Sequence, residues 1–306
     1  MSAVLRRYQA RSFGLLWQSD IEMAHFVDAA SCHGTPDIDV YETLSLSKRN
    51  PIHRINRGLV YTDGFRFEWN DIATFDMFDG NRIEYCPGPS WAGELSWPFY
   101  STVTALLLAW RGSLPFHGSA ISVDGQGLLI CGESGAGKSS LTAALTAEGA
   151  QFISDDLSVV APSKERSDWN LVKGRPGIRL FPTVGKWFFS GDAKAVSDDP
   201  RDKVIALPAP GIEAKHVPLR HIIFLGSPLQ ALSAIDRFTL LRKNLFRPNW
   251  LGKLPSISAI QVAVRDISSS AHVRIEPVIG ETDERALRGR AIAIIDKVRS
   301  LDNPMP

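Results

Sequence analysis

The stretch Gly132-Glu133-Ser134-Gly135-Ala136-Gly137-Lys138-Ser139 decides the fold of this chain. It fits the Walker A pattern, in which two glycines flank four residues and are followed by Lys and Ser. The apolar run GLLIC before it (127–131) predicts a buried strand, and SLTAALTAE after it (140–148) predicts a helix. Strand, glycine-rich loop and helix in this order are the context in which the pattern binds phosphate. A glycine-rich turn that fits by chance is the alternative.

The chemistry of this loop follows from its backbone. Glycines allow successive N–H groups to point inward and bind phosphate oxygens, and the N-terminus of the following helix adds the positive end of its dipole. Lys138 is placed to reach the β- and γ-phosphates of a nucleotide, and the Ser139 hydroxyl is placed to bind Mg²⁺. We therefore predict ATP and Mg²⁺ as the ligands. The predicted nucleotide-binding residues are Gly132, Glu133, Ser134, Gly135, Ala136, Gly137, Lys138, Ser139 and Ser140.

The composition argues against several kinds of partner and site. The 306 residues carry a net charge of +1 and are 44% hydrophobic, which is ample for a core. So balanced a charge argues against nucleic acid or an acidic membrane surface as a partner. The longest apolar run, ALLLAW at 105–110, is too short to span a bilayer, and residues 1–20 lack the apolar segment of a secretory signal. Cys32, Cys86 and Cys131 match neither a disulfide framework nor a zinc site, so we expect a cytoplasmic protein.

The order of the predicted elements indicates an α/β fold with two domains. Strands alternate with helices around and after the loop, which predicts a mostly parallel sheet. Residues 1–90 are predicted to be β-rich, with a hairpin at Asp63-Gly64 followed by the alternating FRFEW at 65–69. The breaker cluster CPGPS at 86–90 marks the boundary. We therefore predict a β-rich N-terminal domain over 1–90 and a nucleotide-binding domain over 91–306.

Two features beside the loop narrow its chemistry. His117 lies on the predicted strand before the loop strand, where its imidazole either reaches the loop or packs in the core. Asp155-Asp156 follow the short predicted strand at 151–154. Strand ends line the ligand crevice of an open α/β sheet, and an acidic pair there can bind metal and accept a proton from an attacking hydroxyl. A role in a turn or a helix cap is the alternative for the acidic pair.

The run FHGSAISVDGQGLLICGESGAGKSSLTAALTAEGAQFISDDLSVV at 116–160 resembles the catalytic core of the HPr serine kinase/phosphorylase family. The shared elements are a His in a Phe-His-Gly strand opening, the loop G-x-S-G-x-G-K-S, a Gly that ends the helix, and an Asp-Asp pair at matching spacing. The resemblance implies an HPr kinase/PEP carboxykinase-like core and a phosphotransferase that uses ATP and Mg²⁺.

The resemblance also implies roles for individual residues. Lys138 would hold the phosphates and Ser139 would bind Mg²⁺. Asp156 matches the family's acceptor of the serine hydroxyl proton, while Asp155 would support the metal or the base. His117 matches the family's active-site histidine and would belong to the same hydrogen-bond network.

The chain also departs from the family's pattern. After the acidic pair the bifunctional kinases carry a Leu-Glu-Ile-Arg-Gly segment with a metal-binding Glu, whereas residues 174–181 here read GRPGIRLF. A second metal contact and the reverse, phosphorylase reaction are therefore not implied. Arg179 is a candidate phosphate contact or a surface arginine. Lys203 is a candidate for stabilising transition-state charge or a solvated lysine.

Several functions remain open on the sequence. The leading hypothesis is an ATP-dependent serine kinase acting on a peptide or small protein, with residues 1–90 and the polar loop at 191–203 as candidates for acceptor binding. The layout is closer to the HPr-kinase-like proteins that phosphorylate the C-terminal serine of lasso-peptide precursors than to the HPr phosphocarrier kinases, which are the alternative. A nucleotide-gated regulatory module would not need the acidic pair, and a motor ATPase would need a carboxylate after HIIFLGS at 221–227.

The resemblance permits a homo-oligomer such as a hexamer, but a monomer or dimer fits the sequence equally well.

Overall fold

The computed structural model describes residues 7–29, 34–163, 168–189, 194–195, 202–208, 215–227, 232–280 and 283–302. Contacts divide the chain into two compact units. The first comprises Met1–Ser113 with Phe246–Ile260, and the second comprises Leu114–Leu245 with Gln261–Pro306. The described helices are α1 (Thr104–Trp110), α2 (Lys138–Ala147), α3 (Pro182–Phe188), α4 (Ala234–Asn244), α5 (Pro248–Leu251), α6 (Ile257–Ser270) and α7 (Glu284–Asp302).

The first unit is built on a sheet that, in the described part of the chain, has nine strands in the order β3-β1-β2-β4-β9-β8-β7-β6-β5. Its strands are β1 (Tyr8–Ser12), β2 (Leu15–Ser19), β3 (Val27–Asp28), β4 (Ile38–Glu42), β5 (His53–Ile55), β6 (Gly58–Val60), β7 (Gly64–Trp69), β8 (Ala73–Phe78) and β9 (Arg82–Pro87). The predicted hairpin is present as antiparallel β6 and β7, with Phe65 opposite Val60. Phe65 and Phe67 are buried, as their alternation predicts.

This unit does not end at the predicted boundary near residue 90. A π-helical turn, Phe99–Val103, leads into α1, and both are buried. The Phe99 ring lies 6.2 Å from that of Trp17 and 5.8 Å from that of Phe75, so aromatic packing joins this segment to the sheet. The ring of Trp250 lies 6.2 Å from that of Phe65, which brings the short segment around α5 into the same unit.

The second unit contains the predicted strand, loop and helix. Its strands are β10 (Leu114–Val123), β11 (Gln126–Gly132), β12 (Gln151–Ser154), β13 (Leu157–Pro162), β14 (Trp169–Val172), β15 (Ile178–Leu180), β16 (Lys194–Ala195), β17 (Val204–Ala206), β18 (His216–Leu225) and β19 (His272–Glu276). The main sheet runs β11-β10-β13-β14-β18-β19, with β12 also on β10 and β11 also on β18. β15, β17 and β16 form a small separate sheet.

The predicted mostly parallel sheet is wrong for the described residues. β18 pairs in parallel with β11 and β19, but β10 is antiparallel to β11, β12 and β13, and β14 is antiparallel to β13 and β18. The cause is the length of the connections. Asp124 and Gly125 join β10 to β11 as a two-residue turn with φ of 49° and 84°, and such a turn joins only antiparallel strands.

The core of the second unit fixes the helix that follows the loop. Side chains of α2 and α7 pack together on the strands. This cluster includes Ile121, Leu128, Ile130, Leu141, Leu145, Ile223, Leu287, Ile294 and Val298, each at most 4% exposed. The opposite side of α2 packs Ala143 against Ile178 and Leu180 of β15. Because both sides of α2 are covered, its N-terminus is held at the end of β11.

In the described part of the chain, no helix combines the length and the apolar character needed to cross a membrane.

Candidate active site

The loop between β11 and α2 depends on glycines at three positions. Gly132, Gly135 and Gly137 have φ of 148°, 87° and 89°, a range that residues with a Cβ rarely adopt. A Cβ on Gly132 would lie 2.9 Å from the Leu225 oxygen. The Gly132 N–H donates to Asn244 Oδ1 at 3.0 Å, which holds the start of the loop against the end of α4. The loop therefore has a fixed backbone shape that its glycines make possible.

We expect Gly137→Ala to lower the free energy of unfolding more than Gly135→Ala does. Both residues have nearly the same positive φ, so either alanine costs about 1–2 kcal/mol. A Cβ on Gly137 would also lie 2.6 Å from Ile279 Cβ, whereas among the described residues nothing lies within 4 Å of a Cβ on Gly135. In Gly137→Ala this overpacking lowers the free energy of unfolding by about a further 1–3 kcal/mol. Urea unfolding of the two variants measures the difference, and equal losses would show that Ile279 moves aside freely.

Lys138 is held at the mouth of the loop. Its side chain is largely buried, and Nζ donates to the carbonyl oxygens of Gly132 at 2.8 Å and Glu133 at 2.9 Å. Burial lowers the pKa of Lys138, and the nearby carboxylates of Asp155 and Asp156 act in the opposite direction. A cation held by neutral carbonyls can exchange those partners for phosphate oxygens, which are stronger acceptors for it.

Ser139 and Asp155 together present hard oxygen donors. Ser139 Oγ donates to Asp155 Oδ1 at 3.0 Å. The same carboxylate accepts from Ser119 Oγ at 2.5 Å and from the Arg179 backbone N–H at 2.9 Å, so its orientation is fixed. Mg²⁺ is commonly bound through one or two carboxylates together with substrate phosphates. The donor set therefore fits Mg²⁺ beside a bound triphosphate.

Asp156 occupies a tight turn and faces cations. Its φ is 68°. Its Oδ2 lies 3.5 Å from Arg179 Nη1 and 3.7 Å from Arg175 Nη2, and its Oδ1 lies 3.6 Å from His117 Nδ1. Burial disfavours the charged form, but the positive charges of Arg175, Arg179 and Lys203 outweigh it and hold the pKa of Asp156 below its usual range. Asp156 is therefore an ionised carboxylate at neutral pH and can only accept protons.

His117 belongs to the same cluster. Its Nδ1 lies 3.2 Å from the Asp156 carbonyl oxygen. Burial, and then the charge of Lys138, lower the pKa of His117, while Asp156 and Asp155 act in the opposite direction. The imidazole is therefore neutral at pH 7. Of the two interpretations of this residue, the structure supports contact with the acidic pair.

The lowered pKa of His117 makes a prediction about stability. Its folded-state pKa lies below the unfolded value of about 6.5, so the unfolded state binds more protons as the pH falls through 6.5. The free energy of unfolding therefore declines as the pH drops from about 7 to 5. We expect a shallower decline in His117→Gln, measured by urea unfolding at several pH values. Parallel profiles for the two proteins would contradict the shifted pKa.

The structure brings the predicted catalytic residues to one cavity of about 560 Å³, whose described lining belongs to the second unit. Its polar lining residues are His117, Ser134, Lys138, Ser139, Ser140, Asp155, Asp156, Arg179 and Lys203. Lys203 Nζ lies 5.2 Å from the centre of the Phe181 ring. The volume is within the usual range for small-molecule sites. Both positions proposed as phosphate contacts, Arg179 and Lys203, therefore line the same cavity as the loop.

The predicted candidates do not include two residues that hold the acidic pair. Ser119 lies two positions after His117 on β10, and side chains two apart share one face of a strand, so alternation could have found it. Arg175 is only 6% exposed and lies within the departing segment at 174–181. The sequence gives no signal that distinguishes it from a surface arginine. Most of the predicted acceptor loop at 191–203 lies outside the described residues.

Comparison with known proteins agrees with the motifs. Residues 111–174 match the family model described as the HPr Serine kinase C-terminal domain, a stretch that includes His117, the loop and Asp155-Asp156 but stops before Arg175. A solved structure, the Hpr(Ser) kinase/phosphatase from Coxiella burnetii, matches with a TM-score of 0.34 and 15% sequence identity. That match covers 61% of this chain and 95% of the other. No curated protein sequence matches the chain.

Proposed function

We propose that the protein transfers the γ-phosphoryl group of ATP to a serine hydroxyl of a peptide or small protein. Residues 111–174 are HPr serine kinase-like. This match confirms the family resemblance and indicates a kinase. One observation carries this proposal. The ionised carboxylate of Asp156 lines the same cavity as Lys138 and Ser139 of the loop. A phosphate-binding loop alone serves any nucleotide protein, whereas a proton acceptor beside it serves transfer to a hydroxyl.

The loop and the start of α2 hold the nucleotide. Backbone N–H groups of residues 133–139 and the positive end of α2 bind phosphate oxygens, and Lys138 neutralises charge on the β- and γ-phosphates. Ser139 and Asp155 are the residues that would hold Mg²⁺. When bound, the ion withdraws charge from the phosphate oxygens as a Lewis acid.

Asp156 faces the acceptor. Its carboxylate accepts the proton of the serine hydroxyl as the serine oxygen forms a bond to the γ-phosphorus, and the bond from that phosphorus to the bridging oxygen breaks so that ADP leaves. Arg179 and Lys203 line the same cavity, where their positive charges stabilise negative charge on the transferring group. Arg175 holds the carboxylate in its ionised form, and the contact of His117 Nδ1 with the Asp156 carbonyl oxygen holds the turn in place.

We expect Ser119→Ala to raise the Mg²⁺ concentration needed for half-maximal transfer by about 10- to 100-fold, since partners that orient a metal ligand commonly have effects of this size. Ser119 Oγ donates to Asp155 at 2.5 Å. Ser122 is an equally buried serine on the same strand, so Ser122→Ala is the matched control and should leave the requirement unchanged. Activity measured at a series of Mg²⁺ concentrations compares the two variants. An unchanged requirement in Ser119→Ala would remove Asp155 from the metal site.

The proposed acceptor is the C-terminal serine of a lasso-type precursor peptide, with the HPr phosphocarrier as the alternative. Support for the peptide comes from the segment GRPGIRLF at 174–181, where the bifunctional HPr enzymes have a metal-binding Glu. Residues 1–90 and the loop at 191–203 remain the proposed acceptor-binding elements.

Intact-mass spectrometry tests the function. The protein is incubated with ATP and Mg²⁺ together with either a peptide ending in serine or an HPr-type protein carrying an internal serine. We expect one added phosphoryl group on a serine, and more rapid addition to the peptide. If neither acceptor gains mass while ATP still binds, the nucleotide-gated regulatory module becomes the better account.

A further inference from the structure

The cavity has a second part that phosphoryl transfer does not use. Its apolar lining includes Val184, Trp187, Val278, Ile279 and Leu287. Val278 is 50% exposed and Trp187 is half-buried. Apolar and aromatic surface that continues from a phosphate site is typical of pockets for the organic part of a ligand.

Backbone contacts place part of this apolar lining against the loop. The Ile279 N–H donates to the Ala136 carbonyl oxygen at 3.2 Å. The Ile279 side chain also occupies the space where a Gly137 Cβ would project. The segment that follows β19 is therefore fixed beside the second half of the loop, next to the residues that open α2.

Helices α3 and α7 supply the rest of this lining. Trp187 and Phe188 pack against the core cluster that contains side chains of α2 and α7. The Arg288 guanidinium lies 5.1 Å from the centre of the Phe188 ring and pairs with Glu148 just beyond the end of α2. The end of α3 therefore lies along α2 and α7, and Phe188 also packs against the cluster that contains Ile178 and Leu180 of β15. Trp187 therefore lies on the part of the lining that continues from the loop along α2.

The direction of the nucleotide follows from the chemistry of the two parts. The proposed function puts the γ-phosphoryl group at Asp156, with Ser139 and Asp155 beside it, so the nucleoside must extend away from the acidic pair. We propose that Trp187 and the side chains of Val184, Val278, Ile279 and Leu287 form the subsite for the nucleoside base of ATP. This inference rests on the proposed function, and it assigns the apolar part of the cavity to the base.

The chemistry of this subsite predicts weak selectivity among bases. A flat base stacks on an aromatic side chain through its π-face, and every base has one. The five side chains that form the subsite are uncharged and offer no carboxylate for the ring N–H and amino group of guanine. We therefore expect ATP and GTP to bind with affinities within about tenfold of each other.

Calorimetric titration with ATP and with inorganic tripolyphosphate, both in Mg²⁺, tests the subsite. The unmodified protein should bind ATP more tightly than tripolyphosphate. Trp187→Ala should weaken ATP binding by about 5- to 150-fold, the range that base–aromatic stacking supplies, and should leave tripolyphosphate binding unchanged. Trp187→Phe keeps a ring and should retain most of the ATP affinity. Trp169, a half-buried tryptophan on β14 outside the cavity lining, provides the control Trp169→Ala, which should not change the ratio of the two affinities.

Two results would overturn the subsite. One is equal affinity of the unmodified protein for ATP and tripolyphosphate, which needs no variant to fold. The other is a folded Trp187→Ala protein that keeps its ATP affinity or loses both ligands equally. The two proposals fail separately. A protein that binds ATP through its base but never phosphorylates an acceptor would contradict only the proposed function, and one that phosphorylates serine with no effect of Trp187 would contradict only the subsite.

Discussion

Asp156→Asn should lower the rate of phosphoryl transfer by about 10²- to 10⁴-fold, the usual contribution of a general base, while ATP affinity stays close to that of the unmodified protein. The amide has nearly the shape of the carboxylate, so the cavity keeps its form. It carries no negative charge and cannot take the hydroxyl proton. Single-turnover transfer and calorimetric ATP binding, measured on the same preparation, separate the two effects.

A matched control for this substitution is available on the same unit. Asp168 also pairs with an arginine, since its Oδ2 lies 3.3 Å from Arg220 Nη2. Asp168→Asn should leave transfer unchanged. Because cations hold the pKa of Asp156 below its usual range, the rate should not fall with protonation of this carboxylate until the pH drops below about 4. Unimpaired transfer in Asp156→Asn would show that another group takes the proton.

Lys138→Met should reduce transfer by about 10²- to 10³-fold, as loss of one group that stabilises transition-state charge typically does, and should weaken ATP binding by about 10- to 100-fold. Methionine keeps the apolar stem and removes the ammonium. Burial lowers the pKa of Lys138, and removing the buried charge offsets part of the stability lost with its hydrogen bonds to the Gly132 and Glu133 carbonyl oxygens. Lys243→Ala, an exposed lysine on α4, is the control. A Lys138→Met protein that binds ATP normally would contradict the role of the loop.

The part of the site that could be predicted is the part encoded locally. The glycine pattern at 132–137, Lys138 and the Asp155-Asp156 turn lie within one short stretch, and together with the runs at 127–131 and 140–148 they predict the strand, the loop and the helix. The structure places His117 beside Asp156, as the family resemblance implied. Their catalytic roles stay predictions, which the substitutions above test.

The rest could not be predicted because it depends on contacts between distant residues. Arg175 contributes to the site only because the chain returns to Asp156 after β14. No periodic pattern in the sequence predicts this contact. The alternation of strands and helices predicts a mostly parallel sheet, whereas the two-residue turn at Asp124-Gly125 makes β10 antiparallel to β11. The length of a connection therefore determines the strand direction here, and the alternation does not. The segment around Trp250 joins the first unit through packing on Phe65, more than 150 residues later, and local sequence carries no sign of it.

The central claim is that the γ-phosphoryl group of ATP ends on a serine hydroxyl. Parallel reactions with ATP labelled at the γ-phosphate and with ATP labelled at the α-phosphate, each with Mg²⁺ and a peptide ending in serine, test it most directly. Label from the γ-position, and none from the α-position, should appear on the serine of the peptide. Label from the α-position would show nucleotidyl transfer instead. Release of the γ-label as inorganic phosphate with an unlabelled peptide would show that the protein hydrolyses ATP without acting on serine.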